Sequence, residues 1–334
     1  MNSQNRNGKV SPSKSKGRGC LIWLGRIAFS IIGLALVGYI YESVAEAADA
    51  KAYPPPGQLV DVGGHRLHIN CTGSGSPTVI IEAGWEDWST SWAAYVQPEV
   101  AKTTRICTYD RAGMGWSEVG PLPRDAAQNA KELHILLQNA NIPGPYVMVG
   151  HSLGGLVVRV FAREYSSDVV GVVLIDSMNP KQISQSPTVQ SQSESRSQPF
   201  SFKAMLARFG VARLLVKLPA IAPSLGPNQE AYYPLYIRPQ SFQTTANEGQ
   251  GMPAAGEQAA AVKSFGDLPL IVLTARQNTM PSWQNWQSEL LQLSSNSQHL
   301  FAENSGHTIQ VDEPDAAVAA ILKMVELVRQ STQK

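Results

Sequence analysis

The stretch Tyr146-Val147-Met148-Val149-Gly150-His151-Ser152-Leu153-Gly154-Gly155 decides the fold. Its first half is a short apolar run of strand type, and its second half opens a helix-like run from Leu153 to Tyr165. Between them, Gly150-x-Ser152-x-Gly154 has small residues two positions either side of a serine. A sharp strand-to-helix turn needs that spacing, because the helix must pass close to the strand and lift the serine hydroxyl clear of both. Five residues of this kind also occur in ordinary glycine-rich loops, so the flanking strand and helix carry the reading.

Outward from this turn, strands and helices alternate. Thr78–Glu82, Thr104–Tyr109, Tyr146–Val149 and Val169–Ile175 read as strands, and Asp125–Asn139 and Leu153–Tyr165 as helices. Continuous apolar strands separated by helices imply a parallel sheet covered on both faces. Gln58–Val62 and Arg66–Cys71 alternate and meet at Gly63-Gly64, a hairpin signal. The rhythm lapses over residues 179–265, where a Ser/Gln-rich run (Ile183–Gln198) and an amphipathic stretch (Phe202–Leu218) predict a mostly helical cap insertion. It resumes with strands Leu268–Leu273 and His299–Ala302 and helices Pro281–Leu293 and Glu313–Val328, the last with Asp312 at its start. The core is therefore expected over residues 58–178 and 266–334.

The chain of 334 residues has a net charge of +1, which gives no reason to expect nucleic acid. The N-terminus is different. Residues 1–20 are basic and polar and are expected to form a cytoplasmic tail without a core to bury. Residues 21–41 are apolar apart from Arg26, and at about 1.5 Å per residue they match a hydrocarbon layer of roughly 30 Å. Basic residues before the run and acids only after it (Glu42, Glu46, Asp49) place the body outside the cytoplasm. Small-residue sites at Ala45-Glu46-Ala47 and Ala48-Asp49-Ala50 keep a cleaved signal peptide and a secreted product as the alternative. Residues 42–57, ending in Pro54-Pro55-Pro56-Gly57, read as a linker.

A serine hydroxyl is a poor nucleophile until a base takes its proton. Of six histidines, His65 and His68 lie in the hairpin, His134 in a helix, His151 beside the turn and His299 at a strand start, all of which suit structural roles. His307 lies in Asn304-Ser305-Gly306-His307-Thr308, between the last strand and the last helix, at the carboxyl edge where open sheets bind ligands.

Over about Leu59–Arg329 the chain resembles the α/β-hydrolase superfamily, in its serine-nucleophile, capped, esterase- or lipase-like form. The residues that carry the resemblance are Gly150–Gly155, Ser305-Gly306-His307, and the turn Tyr109-Asp110-Arg111-Ala112-Gly113-Met114-Gly115-Trp116-Ser117. The resemblance implies a mostly parallel eight-stranded sheet and a triad in the order serine, acid, histidine. The commonest acid position, in Thr274–Met280, holds no carboxylate. The family's alternative position, at the end of the preceding strand, holds Asp176, and Asp110 occupies a place that usually braces a turn. The catalytic set implied is Ser152, His307 and Asp176.

The oxyanion hole implied is the backbone N–H of Leu153 and of Trp85, in Ala83-Gly84-Trp85 where many relatives have a histidine. Gly84, Trp88 and Trp116, with Trp92 nearby, are expected around an apolar substrate pocket. The family's sheet order sets the second strand beside the fourth, so Cys71 and Cys107 are candidates for a disulfide outside the cytoplasm. No metal and no organic cofactor are implied. The partners expected are a small, apolar acyl substrate and, through residues 21–41, a membrane. The activity implied is cleavage of a carboxylic ester or related acyl bond. Cofactor-free haloperoxidase-like chemistry, an amidase or peptidase, a carbon-carbon bond hydrolase, and a non-catalytic binding protein on the same fold stand as alternatives.

Overall fold

The computed structural model describes residues 16–185, 201–216 and 232–332. Eight strands form one sheet: β1 (Gln58–Asp61), β2 (Arg66–Thr72), β3 (Thr78–Glu82), β4 (Ile106–Tyr109), β5 (Tyr146–His151), β6 (Val169–Ile175), β7 (Leu270–Ala275) and β8 (Ser297–Ala302). Their order is β1-β2-β4-β3-β5-β6-β7-β8, and β2 runs antiparallel to both its neighbours while β3 to β8 are parallel. The alternation of side chains across each strand splits the core in two. Ile80 and Met148 point into one layer with Leu133, Leu156 and Phe161, and Val79, Ile81, Val147 and Val149 point into the other with Ile321, Met324 and Val325. Burial on both faces is why these strands read as unbroken apolar runs.

The helices are α1 (Lys16–Ala52), α2 (Ser89–Ala93), α3 (Gln97–Val100), α4 (Ala126–Asn139), α5 (Gly154–Glu164), α6 (Pro180–Gln185), α7 (Phe202–Arg208), α8 (Val211–Leu215), α9 (Tyr233–Tyr236), α10 (Pro239–Ala261), α11 (Trp283–Leu290), α12 (Ile309–Asp312) and α13 (Pro314–Thr332). Asp125 caps α4 by accepting from the Gln128 N–H. Helices α6 to α10 all belong to the segment between β6 and β7. The longest, α10, crosses the carboxyl edge of the sheet: Glu248 meets Arg111, and the Thr245 carbonyl accepts from Trp85 Nε1 at 3.1 Å. Most of the Ser/Gln-rich run lies outside the described residues, and the amphipathic stretch divides into α7 and α8 at Gly210, whose φ is 73°.

Two expectations change. Residues 42–52, read as linker, continue α1 without a break. The run Glu42–Ala52 is rich in alanine and glutamate, both strong helix formers, and the chain leaves the helix only at Pro54. Asp312 does not begin the last helix; it closes the short α12 and accepts from the Thr308 hydroxyl at 3.1 Å, and Pro314 starts α13. The basic tail falls outside the described residues up to position 15. Within α1, Cys20–Ala52 is long and apolar enough to cross a membrane, with a mean hydropathy of 2.2 over its apolar window and none of that window buried.

Cys71 and Cys107 face each other in the antiparallel register of β2 and β4 and are joined by a disulfide. Cross-linking residues separated by 36 positions restricts the unfolded chain. Cys107→Ala is expected to lower unfolding free energy by about 2–4 kcal/mol. Urea titration with and without reductant checks this: reductant should destabilise the parent protein and leave the variant unchanged.

Candidate active site

Strand β5 delivers Ser152 to the carboxyl edge, and after Leu153 the chain enters α5. The turn is tight because α5 packs directly on the end of β3. A Cβ on Gly154 would lie 2.3 Å from the Glu82 carbonyl oxygen, so only glycine fits there. Ser152 itself is in the left-handed region, with φ of 50°, a conformation costing on the order of 1–3 kcal/mol for a residue with a side chain. Asp176, at the end of β6, has φ of 40°. Two strained residues on adjacent strands thus point their side chains toward one place.

That place holds a continuous relay. Ser152 Oγ lies 2.8 Å from His307 Nε2, and His307 Nδ1 lies 2.7 Å from Asp176 Oδ2. His307 comes from the loop between β8 and α12, so three elements distant in sequence meet here. Asp176 is fully buried yet well supplied with donors. The Ala275 N–H and Trp283 Nε1 donate to its Oδ1 at 2.9 and 2.7 Å, and Asn278 Nδ2 donates to Oδ2 at 3.0 Å. The loop after β7, which holds no carboxylate of its own, therefore serves the acid of the neighbouring strand with the Asn278 amide, while the last residue of β7 adds a backbone N–H. Trp283 also packs edge-on against His307, with ring centroids 5.4 Å apart. Sequence reasoning missed Asn278 and Trp283. The signal available was an asparagine in the vacant acid loop.

Asp110 stands apart from this relay. It accepts from the backbone N–H groups of Ser89 and Trp116 and pairs with His68 Nδ1 at 2.8 Å, which makes it a brace for its turn. Arg111, next in sequence, was not anticipated as part of the site. Its guanidinium donates to the carbonyls of Ala83 and Gly84, both at 2.7 Å, and is held by Glu82 at 2.9 Å and Glu248 at 2.6 Å. Tyr109 donates its hydroxyl to the other oxygen of Glu82. The peptide between Gly84 and Trp85 is planar and trans, so fixing the Gly84 carbonyl toward Arg111 turns the Trp85 N–H to the opposite side. Gly84 lies against the turn: a Cβ built on it would be 3.2 Å from Ser152 Cβ.

The tryptophans divide. Trp85 is half-buried and ties its loop to α10. Trp92 is fully buried. Trp88 and Trp116, expected around a substrate pocket, pack with Met114 and Leu235 in a buried cluster. Trp88 stacks on Tyr236 of α9 at 3.6 Å, and Trp116 Nε1 donates to the Tyr53 carbonyl at 2.8 Å. Large aromatic surfaces here seat the inserted helices on the core, which explains their burial. Among the described residues, no group of three or more His, Cys, Asp or Glu side chains is placed to hold a metal ion.

The model of the alpha/beta hydrolase family matches residues 67–321. The chain belongs to that family. Among its relatives, the uncharacterized protein YqjL of Bacillus subtilis is 27% identical over 254 residues, covering 75% of this chain and 83% of that protein. Among solved structures, an esterase from Thermogutta terrifontis is similar with a TM-score of 0.62 and 21% identity, over 81% of this chain and 98% of the esterase. The haloalkane dehalogenase DatA from Agrobacterium tumefaciens is similar with a TM-score of 0.64 and 16% identity, over 81% of this chain and 96% of the dehalogenase. At these identities the structural likeness speaks to the fold alone.

His151 adds a pH-sensitive support. It is buried, and its Nε2 donates to the His307 carbonyl at 2.9 Å, fixing the backbone from which the His307 ring hangs. Burial, and secondly the nearby His307, lower its pKa from 6.5 to about 3. The folded protein keeps it neutral where the unfolded chain takes up a proton, so its contribution to stability is complete above pH 6.5 and is lost as pH falls toward 3. The slope from this one group is about 1.4 kcal/mol per pH unit. Between pH 7 and pH 5, denaturant titration should show the parent losing about 2 kcal/mol more than His151→Asn.

Proposed function

We propose that this hydrolase-family protein is a membrane-anchored serine hydrolase that cleaves a carboxylic ester or a related acyl bond through an acyl-enzyme. The observation that carries the reading is the relay of Ser152 Oγ to His307 Nε2 at 2.8 Å and His307 Nδ1 to Asp176 at 2.7 Å. In this reading Ser152 Oγ attacks the acyl carbon while its proton passes to His307 Nε2, and the carbonyl π electrons move onto oxygen. His307 then gives that proton to the leaving oxygen as the C–O bond breaks. A water molecule repeats the sequence in reverse, losing a proton to His307 and releasing the acid. Asp176 stabilises the imidazolium and fixes its tautomer, held in place by the donors around it.

The oxyanion in this reading sits between the N–H groups of Leu153 and Trp85. Leu153 immediately precedes α5, whose N-terminal dipole favours negative charge, and Arg111 orients the Trp85 peptide. A serine at the turn fits acyl transfer better than the chemistry of the dehalogenase-like relatives, in which the residue at the elbow is an aspartate. The exposed, apolar α1 supports anchoring, and the basic residues ahead of it favour an extracytoplasmic body.

A fluorophosphonate probe is expected to label the wild-type protein at Ser152, with labelling lost in Ser152→Ala. A folded wild type that takes no label would favour a binding protein instead. Asp176→Asn is expected to reduce kcat/KM on a short-chain p-nitrophenyl ester by about 10⁴-fold. An equal, small loss in Asp176→Asn and Asp312→Asn would show that Asp176 is not the orienting acid.

A further inference from the structure

We propose that the turn between α7 and α8 rests in the outer interface of the membrane that α1 crosses, and that α1 is retained in the mature protein as the post that holds it there. This rests on the anchoring proposed above and adds an orientation to it. Among the described residues, contact between α1 and the body is confined to one end and one stripe. Gly25 and Gly33 have nothing within 4 Å of a built Cβ, while Ala35, Gly38, Glu42, Ser43, Ala45, Glu46 and Asp49 are partly or fully covered. The spacing of that stripe is that of a single helix face.

The crossing is close and uses glycine from both sides. A Cβ on Gly38 would lie 2.4 Å from the Phe209 carbonyl oxygen, and one on Gly210 would lie 2.7 Å from Tyr41 Cδ1. Farther out, ion pairs lock the same pieces together. Arg213 meets Glu42 at 2.7 Å and Asp49 at 2.6 Å, and Arg208 meets Glu46 at 3.3 Å. Arg213 and Glu42 are both buried, so this is a fixed joint and not a solvated surface pair.

The joint sets a depth. Gly38 lies three residues inside the apolar run that ends at Tyr41, or about 4–5 Å at the helical rise. A chain segment touching Gly38 is therefore at the boundary of headgroups and acyl chains. The segment is suited to that boundary: Phe202 in α7 is 64% exposed, Leu214 in α8 is 61% exposed, and Lys203 beside Phe202 is exposed. Large apolar side chains with an adjacent cation are the composition that interfacial helices use.

The same joint bears on processing. Cleavage after Ala47 would remove Glu42 and Glu46, leaving Arg213 with Asp49 alone and Arg208 without its pair; cleavage after Ala50 would remove Asp49 as well. An intact α1 keeps these arginine charges matched, and the buried Arg213–Glu42 pair exists only while α1 is retained.

The test uses the full chain in lipid vesicles, with Cys20→Ser to leave no free thiol and a bimane label on Leu214→Cys, Phe202→Cys or Gln138→Cys. Gln138 is exposed at the end of α4, on the opposite edge of the sheet. Labels at 214 and 202 are expected to be quenched at least about twofold more by nitroxide-labelled lipid than the label at 138, and to be shielded from aqueous iodide. Intact mass is expected to show α1 present. If the chain stays with vesicles through an alkaline wash but the 214 and 202 labels respond only to iodide, the docking proposal fails and anchoring stands. If the chain is released by the wash, or its mass begins at Ala48 or Lys51, anchoring itself fails and the proposal with it.

Discussion

A carboxylate with no solvent exposure organises the carboxyl edge of this sheet. Burying the carboxyl group of Asp176 is costly unless its oxygens are hydrogen-bonded, and here the partners come from β7, the loop after it, α11 and the loop carrying His307. Each of these segments is held in place by serving the same two oxygens. Backbone strain at Asp176 and Ser152 is tolerable because the surrounding hydrogen bonds leave those residues no alternative. The Asp176 N–H itself donates to the Leu273 carbonyl at 2.7 Å, so even the turn that aims the acid is bound to the neighbouring strand.

A second buried charge performs the same service for the loop on the other flank of Ser152. Arg111 collects two carboxylates and two carbonyls around one guanidinium, joining the ends of β3 and β4 to α10. The inserted helices are thereby coupled to the core through the group that orients the Trp85 peptide. The aromatic cluster of Trp88, Trp116, Tyr232 and Tyr236 closes the seam beside it. Movement of α10 relative to the sheet would have to break a network whose members have no water to turn to.

Much of this was legible in the chain. The small residues around Ser152 announce the turn, because close helix packing excludes any Cβ at Gly154. The loop around His307 and the acidless loop after β7 pointed to Asp176, and the three side chains do meet. The parallel sheet followed from apolar runs such as Thr78–Glu82. What was not legible depends on contacts between distant segments. Asn278 and Trp283 carry no motif, and Arg111 reads as one residue of a turn until Glu248 is brought to it from over a hundred positions away. Residues 42–52 looked like linker because prolines follow them, yet Glu42, Glu46 and Asp49 share a helical face whose partners lie in the inserted segment. Trp88 and Trp116 sit at the active edge as their positions suggest, but packing against α9 and the segment after α1 claims them first.

The disulfide between Cys71 and Cys107 takes on a mechanical meaning beside the way α1 joins the core. After α1 the chain reaches the sheet at Pro56, whose carbonyl is hydrogen-bonded by His68 of β2, which is in turn paired with Asp110 beyond β4. In the anchoring proposed above, drag on α1 divides between its ion-paired joint with the inserted segment and this path, along which it pulls first on the antiparallel edge hairpin. An edge hairpin held by hydrogen bonds alone would unzip strand by strand. The covalent staple from β2 to β4 passes that share of the load to the parallel core, so α1 and the Ser152–His307–Asp176 relay are carried by one continuous frame.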